Sequence, residues 1–232
     1  MNLISEHIKK QLCLKADVKK ALWLENYVKH QIKSRGVGIP DIRQILLEAN
    51  KLYQMTDLVV SEQVKFLDEL MKSDYTEDKL SAILFIQLFW KNDLNAKKLN
   101  VISDWFDNGF ICDWNVCDWL CVRILSPMVD ANPELIIDAL KRWNSDENLW
   151  KARASLVPFT TCKSISQYIS QIELLAQNLI RREERFCKTA VGWVLREISK
   201  FDLDFVMLFL NVNEEWVTSE VKKNAMKYSR NQ

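Results

Sequence analysis

Apolar residues along this chain recur at intervals of three and four rather than alternating. From Pro133 to Trp143 they fall at Leu135, Ile136, Ile137, Ala139 and Leu140. Between Ser166 and Ile180 they fall at Ile169, Ile172, Leu175, Ala176 and Leu179. Such spacing gathers apolar side chains on one face of a helix. Asp202 to Leu210 predicts a third helix of this kind. Near the start, Lys33-Ser34-Arg35-Gly36-Val37-Gly38-Ile39-Pro40 breaks the pattern. Two glycines end one helix there, and Pro40-Asp41 opens the next, since proline suits a helix's first turn.

A longer period overlies the helical one. Leu80-Ser81-Ala82-Ile83-Leu84, Asn115-Val116-Cys117-Asp118-Trp119, Ala152-Arg153-Ala154-Ser155-Leu156 and Lys188-Thr189-Ala190-Val191-Gly192 each place a small residue mid-segment. Their centres, 82, 117, 154 and 190, are spaced 35, 37 and 36 residues apart. A helix pair per period of this size is the signature of an α-solenoid, and small residues let neighbouring helices approach closely. The predicted fold is all-α: a single α-solenoid of degenerate HEAT-like helical repeats with a concave groove, one domain over 1–232. Equivalent offsets in successive repeats would then share the concave wall.

Composition agrees. Glycine and proline number four each in 232 residues, too few for the turns of a sheet-rich fold. The net charge of +1 neither demands nor excludes nucleic acid, because lysines and arginines can still gather on one face. No stretch approaches the roughly eighteen apolar residues of a membrane span, and the first ten residues lack a signal-peptide core, so a cytoplasmic location is expected. The protein is also expected to be a monomer. The cysteines at 13, 112, 117, 121, 162 and 187 sit mostly in apolar helical contexts and read as buried thiols. A metal site at Cys112, Cys117 and Cys121 is disfavoured, because structural zinc usually takes four ligands and no histidine or further cysteine lies close by. There is no glycine-rich phosphate loop and no nucleophile elbow.

Four residues stand out for chemistry: Trp114, Asp118, Arg153 and Trp193. Trp114 and Asp118, four apart, project from one helical face. By themselves such residues are usually core tryptophans and a structural ion pair. Their surroundings change the weighting. Trp114-Asn115-Val116-Cys117-Asp118, Leu149-Trp150-Lys151-Ala152-Arg153-Ala154 and Ala190-Val191-Gly192-Trp193-Val194-Leu195-Arg196-Glu197 resemble, in order, signature segments of the HEAT-like DNA alkylation repair glycosylases. Gly38-Ile39-Pro40-Asp41-Ile42-Arg43 is similar to the start of that family's second helix.

The resemblance implies excision of cationic alkylated purines, such as 3-methyladenine and 7-methylguanine, from duplex DNA without metal or organic cofactor. It makes Asp118 the catalytic carboxylate, stabilising positive charge on the deoxyribose and positioning water. Trp114 and Trp193 would offer electron-rich faces to the lesion nucleotide. Arg153 would clamp a backbone phosphate. Lys151, Arg185 and Lys188 lie near these helices; such residues are usually a solvated face, and beside a concave site they become candidate DNA contacts. An alkylated purine leaves as a neutral base, so no acid catalyst is required, and His7 and His30 read as structural or surface residues. Two positions depart from the family pattern. Asp113 stands where catalytic members often carry an aromatic, adding a carboxylate that would disfavour nearby phosphate, and the loop from Gly36 to Pro40 lacks a glutamine found in some relatives. Two other readings remain: a catalytically silent repeat protein that binds branched or damaged DNA, and a protein–protein scaffold.

Overall fold

The structure is a computed structural model that describes residues 2–90 and 93–228. Among the described residues it is helical, with no strand and only an isolated parallel bridge between Lys33 and Tyr75. No described helix is long and apolar enough to cross a membrane. Within the expected 1–232 domain the helices group into two compact units, Met1–Leu120 and Cys121–Gln232.

The first unit contains α1 (Leu3–Leu14), α2 (Val18–Tyr27), α3 (Ile39–Tyr53), α4 (Val60–Met71), α5 (Thr76–Phe85), α6 (Ala96–Asp107) and α7 (Trp114–Leu120). Helix α5 is its centre. All ten of its residues are buried, and it packs against α1, α3, α4 and α7. Its first turn nevertheless carries Glu77, Asp78 and Lys79, so each needs a partner. The Glu77 carboxylate accepts hydrogen bonds from the Ser34 hydroxyl (2.6 Å) and the Arg35 and Gly36 amides (both 2.8 Å). Asp78 takes the Arg35 guanidinium in two parallel bonds of 2.8 and 2.9 Å. These bonds tie the glycine-containing loop to the core helix. Gly36 itself has a φ of +75°, and a Cβ there would lie 2.1 Å from the Asp17 carbonyl oxygen, so only glycine fits.

The second unit contains α8 (Ser126–Ala131), α9 (Pro133–Asn144), α10 (Leu149–Ala154), α11 (Ile169–Arg181), α12 (Arg185–Ile198), α13 (Leu203–Val212) and α14 (Ser219–Ala225). Here α12 is central, packing against α10, α11, α13 and α14. Gly192 permits the closest of these approaches: a Cβ there would sit 3.2 Å from the Val221 Cα and carbonyl oxygen. Asn144 joins neighbouring helices inside the core, donating to the Ser155 hydroxyl at 2.9 Å and the Leu175 carbonyl at 3.2 Å.

The long period reappears as packing. Ala82, Cys117, Ala154 and Ala190 lie in α5, α7, α10 and α12, and each is fully buried. The next step of the period reaches Ala225 of α14, also fully buried. A second feature repeats with it: wider π-helical turns follow α5 at Ile86–Trp90 and α7 at Cys121–Leu125. The predicted helices at 133, 166 and 202 form as α9, α11 and α13. The second begins later than expected, because Ile165–Tyr168 winds as a tighter 3-10 turn. Of the cysteines, Cys117, Cys121, Cys162 and Cys187 are buried, whereas Cys13 and Cys112 are exposed. Cys112 departs from the expected buried thiol because it lies in the loop before α7, not on its packed face.

Candidate functional site

In the first unit the site candidates begin with α7. Asp113 starts this helix. Its Oδ1 accepts the Val116 amide at 3.0 Å, the geometry of an N-cap that satisfies an otherwise orphaned first-turn donor. The residue is fully buried, and its Oδ2 finds no hydrogen-bond partner. Burial pushes its carboxyl above the ordinary carboxylate range, partly opposed by hydrogen bonds from backbone amides. The expectation that Asp113 adds a carboxylate facing phosphate is therefore corrected. It is a buried cap, because helix initiation turns its side chain inward.

Trp114 and Asp118 follow one turn apart on α7, both half-buried. The ring of Trp114 meets Tyr27 edge-to-face, with centroids 5.1 Å apart and planes at 68°. Tyr27 in turn stacks on Trp23 at 5.4 Å and 5°. Trp23 and Tyr27 are 65% and 54% exposed, and no residue of α2 is buried. The first unit thus presents three linked aromatic rings, with Asp118 one helical turn beyond the third. Sequence reasoning missed Trp23 and Tyr27. A cue was present in their spacing of four on a helix that also carries Lys19 and Lys20, but nothing in the chain marks that helix as lacking a buried face.

In the second unit each basic candidate has a partner within the protein. Arg153 is 5% exposed, and its guanidinium donates to the Phe186 carbonyl at 2.6 Å and the Thr189 hydroxyl at 3.2 Å. Lys151 is also buried and pairs with Asp146 at 3.2 Å. Arg185 forms two bonds with Glu220, of 2.8 and 2.5 Å, while remaining largely exposed. Lys188 donates to the Trp216 carbonyl at 2.9 Å. Trp193 is half-buried on α12, with the Arg196 guanidinium 5.8 Å from its ring centre. Phe186 organises the arginines: Trp150 packs on its ring at 5.0 Å, and Arg185 lies 5.4 Å from its centre. Among the described residues no group of three or more His, Cys, Asp or Glu is arranged to hold a metal ion.

The sequence matches the model of the DNA alkylation repair enzyme family over residues 8–229. The chain belongs to this family. Its fold is shared with a predicted DNA alkylation repair enzyme from Enterococcus faecalis, at a TM-score of 0.78 and 16% identity, covering 94% of this chain and 98% of that one. It is also shared with AlkD2 from Streptococcus mutans, at a TM-score of 0.61 and 17% identity, covering 90% of this chain and 98% of the other. No curated protein matches the sequence. Membership in the DNA alkylation repair family gives the chain a role in DNA repair and makes DNA its partner.

Proposed function

We propose that this member of the family is a monofunctional N-glycosylase that hydrolyses the glycosidic bond of cationic alkylated purines, such as 3-methyladenine and 7-methylguanine, in duplex DNA. The observation that carries this reading is the placement of Asp118 one helical turn from Trp114, whose ring is paired with Tyr27. Breaking the sugar–base bond places positive charge on the deoxyribose. The Asp118 carboxylate stabilises that charge and orients water toward the anomeric carbon. The aromatic faces of Trp114 and Tyr27 attract a cationic nucleobase or sugar without needing a matching charge. The base departs neutral, so neither a metal nor an acid catalyst is called upon. In the second unit the reading assigns Trp193 to the lesion nucleotide and Arg153, Lys151, Arg185 and Lys188 to backbone phosphates.

The test is release of 3-methyladenine and 7-methylguanine from methylated duplex DNA by the natural protein and by Asp118→Asn. Release by the natural protein and loss of release in the variant is the expected result. Release that survives the substitution would remove the mechanism. A second reading, recognition of branched or damaged DNA without excision, draws on the inward commitment of Arg153 to Phe186 and Thr189. No release by either protein, with duplex binding retained, would select it.

A further inference from the structure

The first unit also carries an open cavity of about 320 Å³ that plays no part in the reading above. It lies where three loop segments meet, at residues 30–33, 72–74 and 109–112. Lys79 lines it from the buried first turn of α5, and only 4% of that residue is exposed. The Lys79 ammonium donates to the Met71 and Phe110 carbonyls. These are dipoles rather than charges, and no carboxylate pairs with this ammonium among the described residues. Burial draws its pKa below the ordinary lysine value, opposed by the charges of Cys112, Asp113, Asp74 and Asp78. A buried cation bordering an open cavity without a counter-charge is costly unless an anion is supplied.

The rest of the lining has the same sign. Lys33 and Lys72 are exposed at the cavity. Lys33 reaches Asp74 only at 3.4 Å, with both side chains largely in solvent, so that pair contributes little. The Lys72 ammonium rests 5.3 Å from the Phe110 ring centre. Partial burial pushes the Cys112 thiol above its ordinary value, opposed by Lys79. Three lysines and one aspartate therefore line the cavity, together with His30 and Gln31.

We propose that this cavity is a binding site for a phosphate-class anion held by Lys33, Lys72 and Lys79. A phosphate offers several acceptor oxygens to converging point charges, and the volume admits a group larger than one phosphate. Such an anion would bridge the three loop segments. The last of these leads directly into Asp113 and α7, so occupancy would steady the start of the helix that carries Trp114 and Asp118. The proposal does not depend on the glycosylase reading.

Two sources share this chemistry: a free phosphate or phosphate ester, and a backbone phosphate of DNA. Isothermal titration with inorganic phosphate and pyrophosphate, at ionic strength held constant with chloride, addresses the first. Titration with a short unmodified duplex over a range of salt addresses the second. Both compare the natural protein with Lys33→Ala/Lys72→Ala and with Lys79→Met. The double variant changes exposed side chains only, so it keeps the test open if Lys79→Met fails to fold. Saturable phosphate or pyrophosphate binding, weakened about tenfold in the double variant with duplex affinity unchanged, supports a free phosphate ligand. A fall in duplex affinity, with the salt slope reduced by about one per lost phosphate contact, supports the DNA backbone as the source. No saturation by either anion with unchanged duplex binding, or binding equal in all variants, overturns the site.

Discussion

The rings of Tyr27 and Trp114 meet edge-to-face, 5.1 Å between centroids and 68° between planes, and so couple α2, none of whose residues is fully buried, to the first residue of α7. Aromatic pairs in this geometry contribute about 0.5–1.5 kcal/mol beyond their burial. A double-mutant cycle of Tyr27→Ala and Trp114→Ala, read by urea denaturation, is expected to show coupling in that range. Additive effects would mean that α2 stands independently of α7.

Arg153 gives a prediction with two readouts. Its guanidinium holds the Phe186 carbonyl and the Thr189 hydroxyl from a nearly buried position. Arg153→Met leaves those acceptors without their donor, at a cost of about 1–3 kcal/mol. Denaturation should show that loss, and the salt slope of duplex binding should fall by about 0.9 if the residue also meets a phosphate. A stability loss with an unchanged slope would make Arg153 purely structural.

Asp113 carries a pH dependence whose sign is set by burial. Its carboxyl titrates above the ordinary value of 3.8, so the folded protein keeps this proton to higher pH than the unfolded chain does. The resulting stabilisation is complete below that ordinary value and is lost as pH rises through the raised one. Asp113→Ala removes both the cap and the titration. The variant should be less stable by about 1 kcal/mol from the lost cap, with the deficit largest in acid and narrowing toward neutrality. Thermal melts of both proteins across that range check it, and a deficit that widens with pH would contradict the buried, proton-retaining carboxyl.

Gly192 faces backbone, not a yielding side chain. A methyl group there meets the Val221 Cα and carbonyl oxygen at 3.2 Å, so Gly192→Ala must push α14 away from α12. The expected loss is about 1–3 kcal/mol, read from the denaturation midpoint. A neutral or stabilising effect, from the better helix propensity of alanine, would show that α14 shifts freely.

The repeat architecture was legible because period and packing are the same fact seen twice. A small residue every 35 to 37 positions is required wherever one helix presses on the next, and Ala82, Cys117, Ala154 and Ala190 are all fully buried. The candidate site was legible only in part. Trp114 and Asp118 share a face because four residues make about one turn, which sequence spacing alone implies. The partners that the structure adds, Tyr27 to Trp114 and Phe186 to Arg153, lie 87 and 33 residues away along the chain, and no local pattern relates them.

Sequence by itself determined the helical class, the long period, the family and the identity of the residues able to carry charge or stack. These follow from spacing and residue type, which act over a few turns of helix. Tertiary structure alone decided which charges face water. It turned Asp113 inward as a cap, bound Arg153 and Lys151 within the protein, and buried Lys79 at a cavity edge with two backbone carbonyls as its hydrogen-bond partners. An ionisable side chain's behaviour depends on desolvation and on neighbours remote in sequence, and those exist only once the helices are packed.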